Sequence, residues 1–307
     1  MLFVGRPRVL DALADQGLRL TDLDGRDLTL QPADLRLAEF VPPACVPALV
    51  LLCVKSGATD EAARELGARV PVGTVVLSLQ NGVDNVEAAR AAAPSLDVVP
   101  GMVPFNISAQ GPAHFHRGTS GVLAARDHPV LQSWAGAFAA AGVPLALHAD
   151  LGPVQWAKLL LNLNNPVNAL SGLPLRRQLL DRDYRRVLAA LQAEALAVLG
   201  AAGIVPARLT PLPPARVPTV LRLPNFLFER VAAKMLQIDE RARSSMADDV
   251  AAGRPTEIDA ICGAVVRLAA SVGRDAPLNR RMVELIGELG ATPRTMSGRE
   301  LRAATGV

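Results

Sequence analysis

The sequence predicts an α/β domain over residues 1–149 followed by an all-helical domain over residues 150–307. Three observations carry this expectation. At 307 residues the chain is long enough to bury two cores. In the first half, short apolar runs bounded by turn residues alternate with helical stretches. After about Asp150 only helical periodicity remains, with no convincing strand.

Leu2–Val4, Leu49–Val54, Val75–Leu79 and Val98–Val103 read as buried strands, because a parallel sheet covered on both faces needs continuously apolar segments. Between them lie helices at Val9–Gln16 and Thr59–Leu66, the latter closed by Gly67. Strand, helix, strand in this order implies right-handed crossovers and a mostly parallel sheet. Ala113–His116, Gly121–Ala125 and Leu145–His148 are expected to finish that sheet. Further on, Val154–Leu170, Asp183–Leu199, Phe226–Ala252 and Glu257–Ser271 carry helical periodicity, and Pro211, Pro213, Pro214 and Pro218 mark a loop. Open parallel sheets bind ligands at the carboxyl ends of their strands. That edge is expected to face the helical domain, making the interdomain cleft the default site.

Composition narrows the class. Charged residues at 20% and hydrophobic ones at 50% describe an ordinary globular protein. The net charge of +3 is modest, arginines are dispersed and aromatics scarce, so no nucleic-acid partner is expected. No apolar stretch approaches the ~20 residues that span a bilayer, and Leu2-Phe-Val4 gives way at once to Gly5-Arg-Pro-Arg8. The expectation is a cytoplasmic protein with no membrane partner. Cys45, Cys53 and Cys262 lack any C-x-x-C spacing, and Cys53, inside an apolar run, reads as a buried small hydrophobe. His114 and His116 alternate as on one strand face but have no third ligand nearby, so no metal is expected.

Of 32 basic residues only Lys55, Lys158 and Lys234 are lysines. Lysine that survives such an arginine bias is a candidate for work arginine cannot do, because an ammonium can surrender its proton. Lys158, Asn162 and Asn165 fall at i, i+4 and i+7, one stripe of a helix. Asparagine is a poor helix former, so that row needs a reason: a polar site, or bonds across a helix interface made by Asn162, Asn164, Asn165 and Asn168. Pro166 is expected to kink or end the segment. Lys55 and Gln80-Asn81-Gly82 stand at the carboxyl ends of two strands, although the latter is also ordinary turn chemistry. Downstream, Gly253 and Pro255 end one helix, and Thr256 with Asp259 forms a capping box for the next, placing Glu257 in its first turn.

Leu-Leu-Cys-Val-Lys55-Ser, Gln80-Asn81-Gly82, Trp156-Ala-Lys158-Leu-Leu-Leu-Asn162 and Ser245-Met…Thr256-Glu257-Ile-Asp259 together resemble the ketopantoate reductase (2-dehydropantoate 2-reductase) family from about Leu2 to about Ile286. The resemblance implies a Rossmann-like N-terminal domain and NADPH-dependent reduction of 2-dehydropantoate to (R)-pantoate, on the route to pantothenate and coenzyme A. It implies catalytic roles for Lys158, as the acid that protonates the ketone oxygen, and for Glu257, its partner at the substrate hydroxyl. Asn162, Asn165 and Ser245 are implied as substrate contacts, Lys55 and Asn81 as cofactor contacts. Arg6, after the first strand, suits the 2′-phosphate of NADP, with Arg8 as the alternative. A small 2-oxo acid is the partner implied, and a homodimer is allowed.

Two departures from the family pattern stand out. Pro166 occupies the place of a second asparagine two turns after the lysine, leaving Asn165 or Asn168 to make that contact. The chain also contains no G-x-G, and Met1 falls where the second strand of the family should begin. The expectation is therefore a first β-α unit encoded upstream, without which the central strand and the pyrophosphate cradle are missing. Two other readings stay open: a related NADP-dependent dehydrogenase of another small 2-oxo or 3-hydroxy acid, and a non-catalytic helical binding or dimerisation module.

Overall fold

The computed structural model describes residues 1–233, 236, 242–289 and 294–307. Lys234 and part of the predicted helix Phe226–Ala252 lie outside the described residues. The chain divides into two compact units, Met1–Gln80 with Asn85–Leu151, and Asn81–Asp84 with Gly152–Val307.

The first unit runs β1 (Leu2–Val4), α1 (Pro7–Gln16), β2 (Leu18–Asp22), β3 (Asp27–Leu30), β4 (Arg36–Ala38), β5 (Val50–Leu52), α2 (Thr59–Arg69), β6 (Val75–Ser78), α3 (Asn85–Ala92), β7 (Asp97–Met102), β8 (Ile107–Ala109), β9 (His114–Arg117), β10 (Leu123–Arg126), α4 (Pro129–Ala140) and β11 (Leu145–His148). Its main sheet has the order β11-β10-β7-β6-β5. β5, β6 and β7 are parallel, β10 runs antiparallel to β7, and β11 is parallel to β10. Every residue of β6 is buried, as its unbroken apolar run requires. Val76 and Val98 face α2 and α3 through Ala63, Leu66, Val86 and Ala89, whereas Val75, Leu77 and Val99 face α4 through Leu131.

Several expectations need correction here. β9, expected in the main sheet, instead joins a four-stranded sheet of order β3-β2-β9-β8. The β2–β3 hairpin within it escaped the sequence reading because its two short strands carry only Leu18, Leu20, Leu28 and Leu30 as apolar residues. Its turn is built by the Asp22 carboxylate, which accepts from the backbone N–H of Asp24 and Arg26, with Gly25 at φ +84°. The Thr21 hydroxyl lies 2.9 Å from His114 Nε2 and 2.8 Å from His116 Nδ1, which gives both rings a partner within the sheet. Among the described residues β1 pairs only with β4, and β5 is the outer strand of the main sheet. Cys53, just past β5, is exposed rather than buried, because an outer strand has a neighbour on one side only, and Cys262 is the buried thiol. α2 runs through Gly67 to Arg69. The glycine serves packing rather than termination: a Cβ there would sit 2.8 Å from that of Ala93.

The second unit comprises α5 (Gly152–Asn162), α6 (Asn164–Ser171), α7 (Leu175–Leu180), α8 (Arg182–Ala201), α9 (Val217–Leu221), α10 (Asn225–Val231), α11 (Ser245–Ala251), a π-turn at Asp259–Gly263, α12 (Ala264–Ser271), α13 (Pro277–Leu289) and α14 (Gly298–Thr305). The expected helix 154–170 breaks at Leu163, just ahead of Pro166, which has no N–H to return to the Asn162 carbonyl and sits instead in the first turn of α6. Pro218 likewise lies in the first turn of α9 rather than in a loop. Phe226–Ala252 is not one helix: Ser244, with ψ 153°, caps a new one, its hydroxyl accepting from the Ala247 N–H.

α8 is the buried centre of this unit. Arg185 is fully buried and donates to the carbonyls of Leu179, Leu180, Leu221 and Leu223 and to Asn225 Oδ1, all between 2.8 and 3.1 Å. Its guanidinium stacks 4.0 Å from the centre of the Phe228 ring. These carbonyls terminate α7 and α9, so the cation satisfies acceptors that no helical N–H reaches. At the other end of α8, the Glu194 carboxylate accepts from the backbone N–H of Leu278 and Asn279 and from Asn279 Nδ2, holding the N-terminus of α13. Replacing Arg185 by Leu strands four buried carbonyls, and a loss of ~3–5 kcal/mol in urea-unfolding stability is expected; a loss below about 1 kcal/mol would show that the clamp contributes little.

Candidate active site

The middle of α5 is mostly apolar, with Trp156, Ala157, Leu159 and Leu160 buried in the helical core. Lys158, on the same helix, is half-buried. Burial disfavours the ammonium and lowers its pKa from 10.5 to about 8, with the negative charge of Glu257 opposing the shift. An amine so placed is mostly protonated at neutral pH yet can release its proton within the working range.

Glu257 stands just ahead of the helix that opens at Ile258, its carbonyl accepting from the Ala260 N–H at 3.1 Å. The sequence placed it within the first turn behind a Thr256–Asp259 capping box. That pair makes no side-chain hydrogen bond among the described residues, and the backbone passes into the π-turn instead. The Glu257 carboxylate accepts from Asn81 Nδ2 at 2.9 Å. Asn81 reaches it because the short segment Asn81–Asp84 packs with the helical unit. There Val83 lies against the core and the Asp84 carboxylate accepts from Arg267, on α12. Arg267 also donates to the Asp259 carbonyl at 2.9 Å, which ties the π-turn to the same anchor. Lys158 and Asn81 thus both engage the Glu257 carboxylate.

Asn162 follows Lys158 by one turn, and Asn165 lies in the first turn of α6, each half-buried. Ser245, the first residue of α11, is exposed beside them, since the Ser244 hydroxyl donates to the Asn165 carbonyl at 3.3 Å. Asn168 is fully buried and spent on structure: its Nδ2 donates to the Leu173 carbonyl and its Oδ1 accepts from the Ser244 N–H. Asn164 likewise accepts from Gln178 Nε2. The asparagine row therefore divides, with Asn164 and Asn168 bonding across helices and Asn162 and Asn165 half-buried on either side of the break at Leu163. Sequence reasoning missed Asp84, Arg267 and Ser244, which hold the site together without any local signal of their own.

Arg6 and Lys55 belong to the first unit. Arg6 is exposed at the N-cap of α1, Arg8 is exposed in its first turn, and no acidic side chain occupies that turn. Two guanidiniums on a positive helix end suit the phosphates of a nicotinamide dinucleotide, and no carboxylate stands in that turn to accept from ribose hydroxyls. Lys55 is exposed where β5 gives way to a short 3₁₀ turn leading into α2. The adjoining loop after β6 is fixed by a buried chain: Ser78 Oγ donates to Gln80 Oε1, Gln80 Nε2 to Thr59 Oγ1, and Thr59 Oγ1 to Asn85 Oδ1. Among the described residues no group of three His, Cys, Asp or Glu side chains could hold a metal ion, and no helix is long and apolar enough to cross a membrane.

Comparison with known proteins identifies the family. The family model described as ketopantoate reductase PanE/ApbA matches residues 1–128, and its C-terminal counterpart matches residues 150–290. The 2-dehydropantoate 2-reductase of Mycobacterium tuberculosis is 29% identical over 274 residues, 88% of this chain and 85% of the relative. That of Halobacterium salinarum is 27% identical over 286 residues, 90% and 86% of the two chains. Among solved structures, a PanE/ApbA family ketopantoate reductase from Ralstonia eutropha superposes with a TM-score of 0.79 at 28% identity, over 95% of this chain and 91% of that one. A D-mandelate dehydrogenase in complex with NADH and anilino(oxo)acetate shares the fold, with a TM-score of 0.77 at 16% identity, over 95% and 90% of the two chains. Two matched halves and relatives aligned along most of their length leave one conclusion: this chain belongs to the ketopantoate reductase family of nicotinamide-dependent oxidoreductases.

Proposed function

We propose that this protein reduces 2-dehydropantoate to (R)-pantoate with NADPH. The observation that carries the proposal is a half-buried lysine, with a pKa near 8, facing a carboxylate that an asparagine holds in place. When bound, the reduced nicotinamide supplies the hydride. Lys158 then neutralises the negative charge that develops on the ketone oxygen and donates its proton there. Arginine could do the first and not the second. Glu257 keeps Lys158 charged against the cost of burial and accepts a hydrogen bond from the substrate hydroxyl. Asn162, Asn165 and Ser245 contact the substrate, while Lys55 and Asn81 contact the cofactor and Arg6 takes its 2′-phosphate. The cell interior is the compartment this reading fits.

A second reading, reduction of another small 2-oxo acid, is favoured by Pro166, which removes one side-chain amide from the stripe beyond Lys158. Steady-state rates over a panel of 2-oxo acids decide between the two: the higher kcat/KM names the substrate.

Lys158→Arg is expected to lower kcat by ~10²–10⁴ with NADPH affinity nearly unchanged; retained turnover would remove Lys158 from the acid role. Because the ammonium is the reactive form, wild-type turnover should fall as pH rises through about 8. The same burial costs stability. Between pH about 8 and 10.5 the folded protein binds fewer protons at Lys158 than the unfolded one. Stability therefore rises with pH across that window and carries a constant penalty below it. Lys158→Met should then stabilise the protein at pH 7 by ~2–3 kcal/mol, a gain that disappears by about pH 10.5, as read by urea unfolding. Arg6→Ala should weaken NADPH binding by about tenfold or more and leave NADH binding within about twofold, measured by titration calorimetry; equal effects on both would contradict the 2′-phosphate assignment.

A further inference from the structure

We infer that Gln192, on α8, is a positioning residue for the reaction: its amide holds the broken end of the helix that carries Lys158 and Asn162. The inference rests on the acid role of Lys158 proposed above. Gln192 is 4% exposed, and its Nε2 donates to the Leu160 carbonyl at 2.9 Å.

Leu160 lies two residues after Lys158 and two before Asn162, in the last turn of α5. A helix that stops at Asn162 leaves the carbonyls of its last turn without ladder partners. Here the stop is enforced, because Pro166 has no N–H to bring back to the helix. The Leu163 N–H still reaches the Leu159 carbonyl at 3.0 Å, so the ladder runs up to the break and ends there. Leu160 is itself buried, so its carbonyl cannot turn to bulk solvent. Gln192 supplies the donor from a neighbouring helix.

The bond fixes both partners. Gln192 Oε1 is buried and accepts no hydrogen bond among the described residues, so donation to Leu160 is the one polar contact that sets the side chain's orientation. A glutamine spent on a single carbonyl in an apolar core is poor economy for folding alone. It is well suited to holding the end of α5 at a fixed depth, and that depth decides how much water Lys158 meets. α8 is itself pinned by Arg185 and Glu194, so Gln192 reaches Leu160 from a rigid support.

The test uses the full chain carrying Gln192→Met, which keeps length and apolar volume and removes the donor. Steady-state kinetics with NADPH and 2-dehydropantoate are run from about pH 6 to about pH 10, well below the measured Tm. The expected result is a fall in kcat of about tenfold or more, with the KM for NADPH within about twofold. The alkaline limb, set near 8 in the wild type, should move up towards 10.5 as Lys158 gains water. A kcat within about twofold of wild type with the limb still near 8 would overturn the inference, even if Tm falls, because it would leave Gln192 a purely structural role. Should Gln192→Met fail to fold, Gln192→Asn, which draws the amide back by one methylene, carries the same test: a kcat loss of about threefold or more supports the inference and an unchanged kcat overturns it. Lys158→Met, assayed in parallel, separates the two levels. If it retains turnover, the acid role fails; if it is inactive while Gln192→Met is normal, only the positioning role fails.

Discussion

Buried helix ends need partners, and in the C-terminal unit one helix supplies most of them. α8 presents a cation to the carbonyl ends of α7 and α9, an anion to the amide end of α13, and a neutral amide to the broken end of α5. Each side chain has the polarity that its helix terminus lacks. Around this frame the apolar core closes, with Val187, Leu188, Leu191, Ala195 and Leu199 of α8 buried in it. Lys158, one helix away, stands on a segment whose end this frame holds through the Leu160 carbonyl.

That support matters because Lys158 is held where water would relax it. Desolvation alone would drive the amine towards its neutral form, and the negative charge of Glu257 brings it part of the way back. Glu257 is itself pinned by Asn81, and Asn81 sits in a segment anchored by Asp84 and Arg267. The carboxylate that offsets part of the burial cost at this amine thus owes its place to groups far from it in sequence. The π-turn at Asp259–Gly263 belongs to the same anchorage, since Arg267 grips the Asp259 carbonyl.

Much of this was legible in the sequence, for identifiable reasons. Val75–Ser78 is apolar throughout because it is covered on both faces, so its run of letters carried its whole environment. Lys158 stood out against an arginine-rich background, and the asparagine row beside it marked polar demand on an apolar helix. The β2–β9 sheet was not legible, because short strands with one solvated face alternate too weakly to declare themselves. Cys53 was misread since an apolar run does not say whether its strand lies inside a sheet or at its edge. Gln192 was invisible: in Leu-Gln-Ala-Glu-Ala-Leu it looks like a solvated helical position, and only the fold shows it buried against the Leu160 carbonyl.

The Arg185 clamp has a consequence for the conditions under which this unit keeps its shape. Its partners are four backbone carbonyls and one side-chain amide, none of which takes up a proton in acid. Dissolved ions have little access to a fully buried guanidinium. The bonds by which Arg185 joins α7, α9 and α10 to α8 are therefore themselves independent of any hydrogen-bonded carboxylate that acid would protonate.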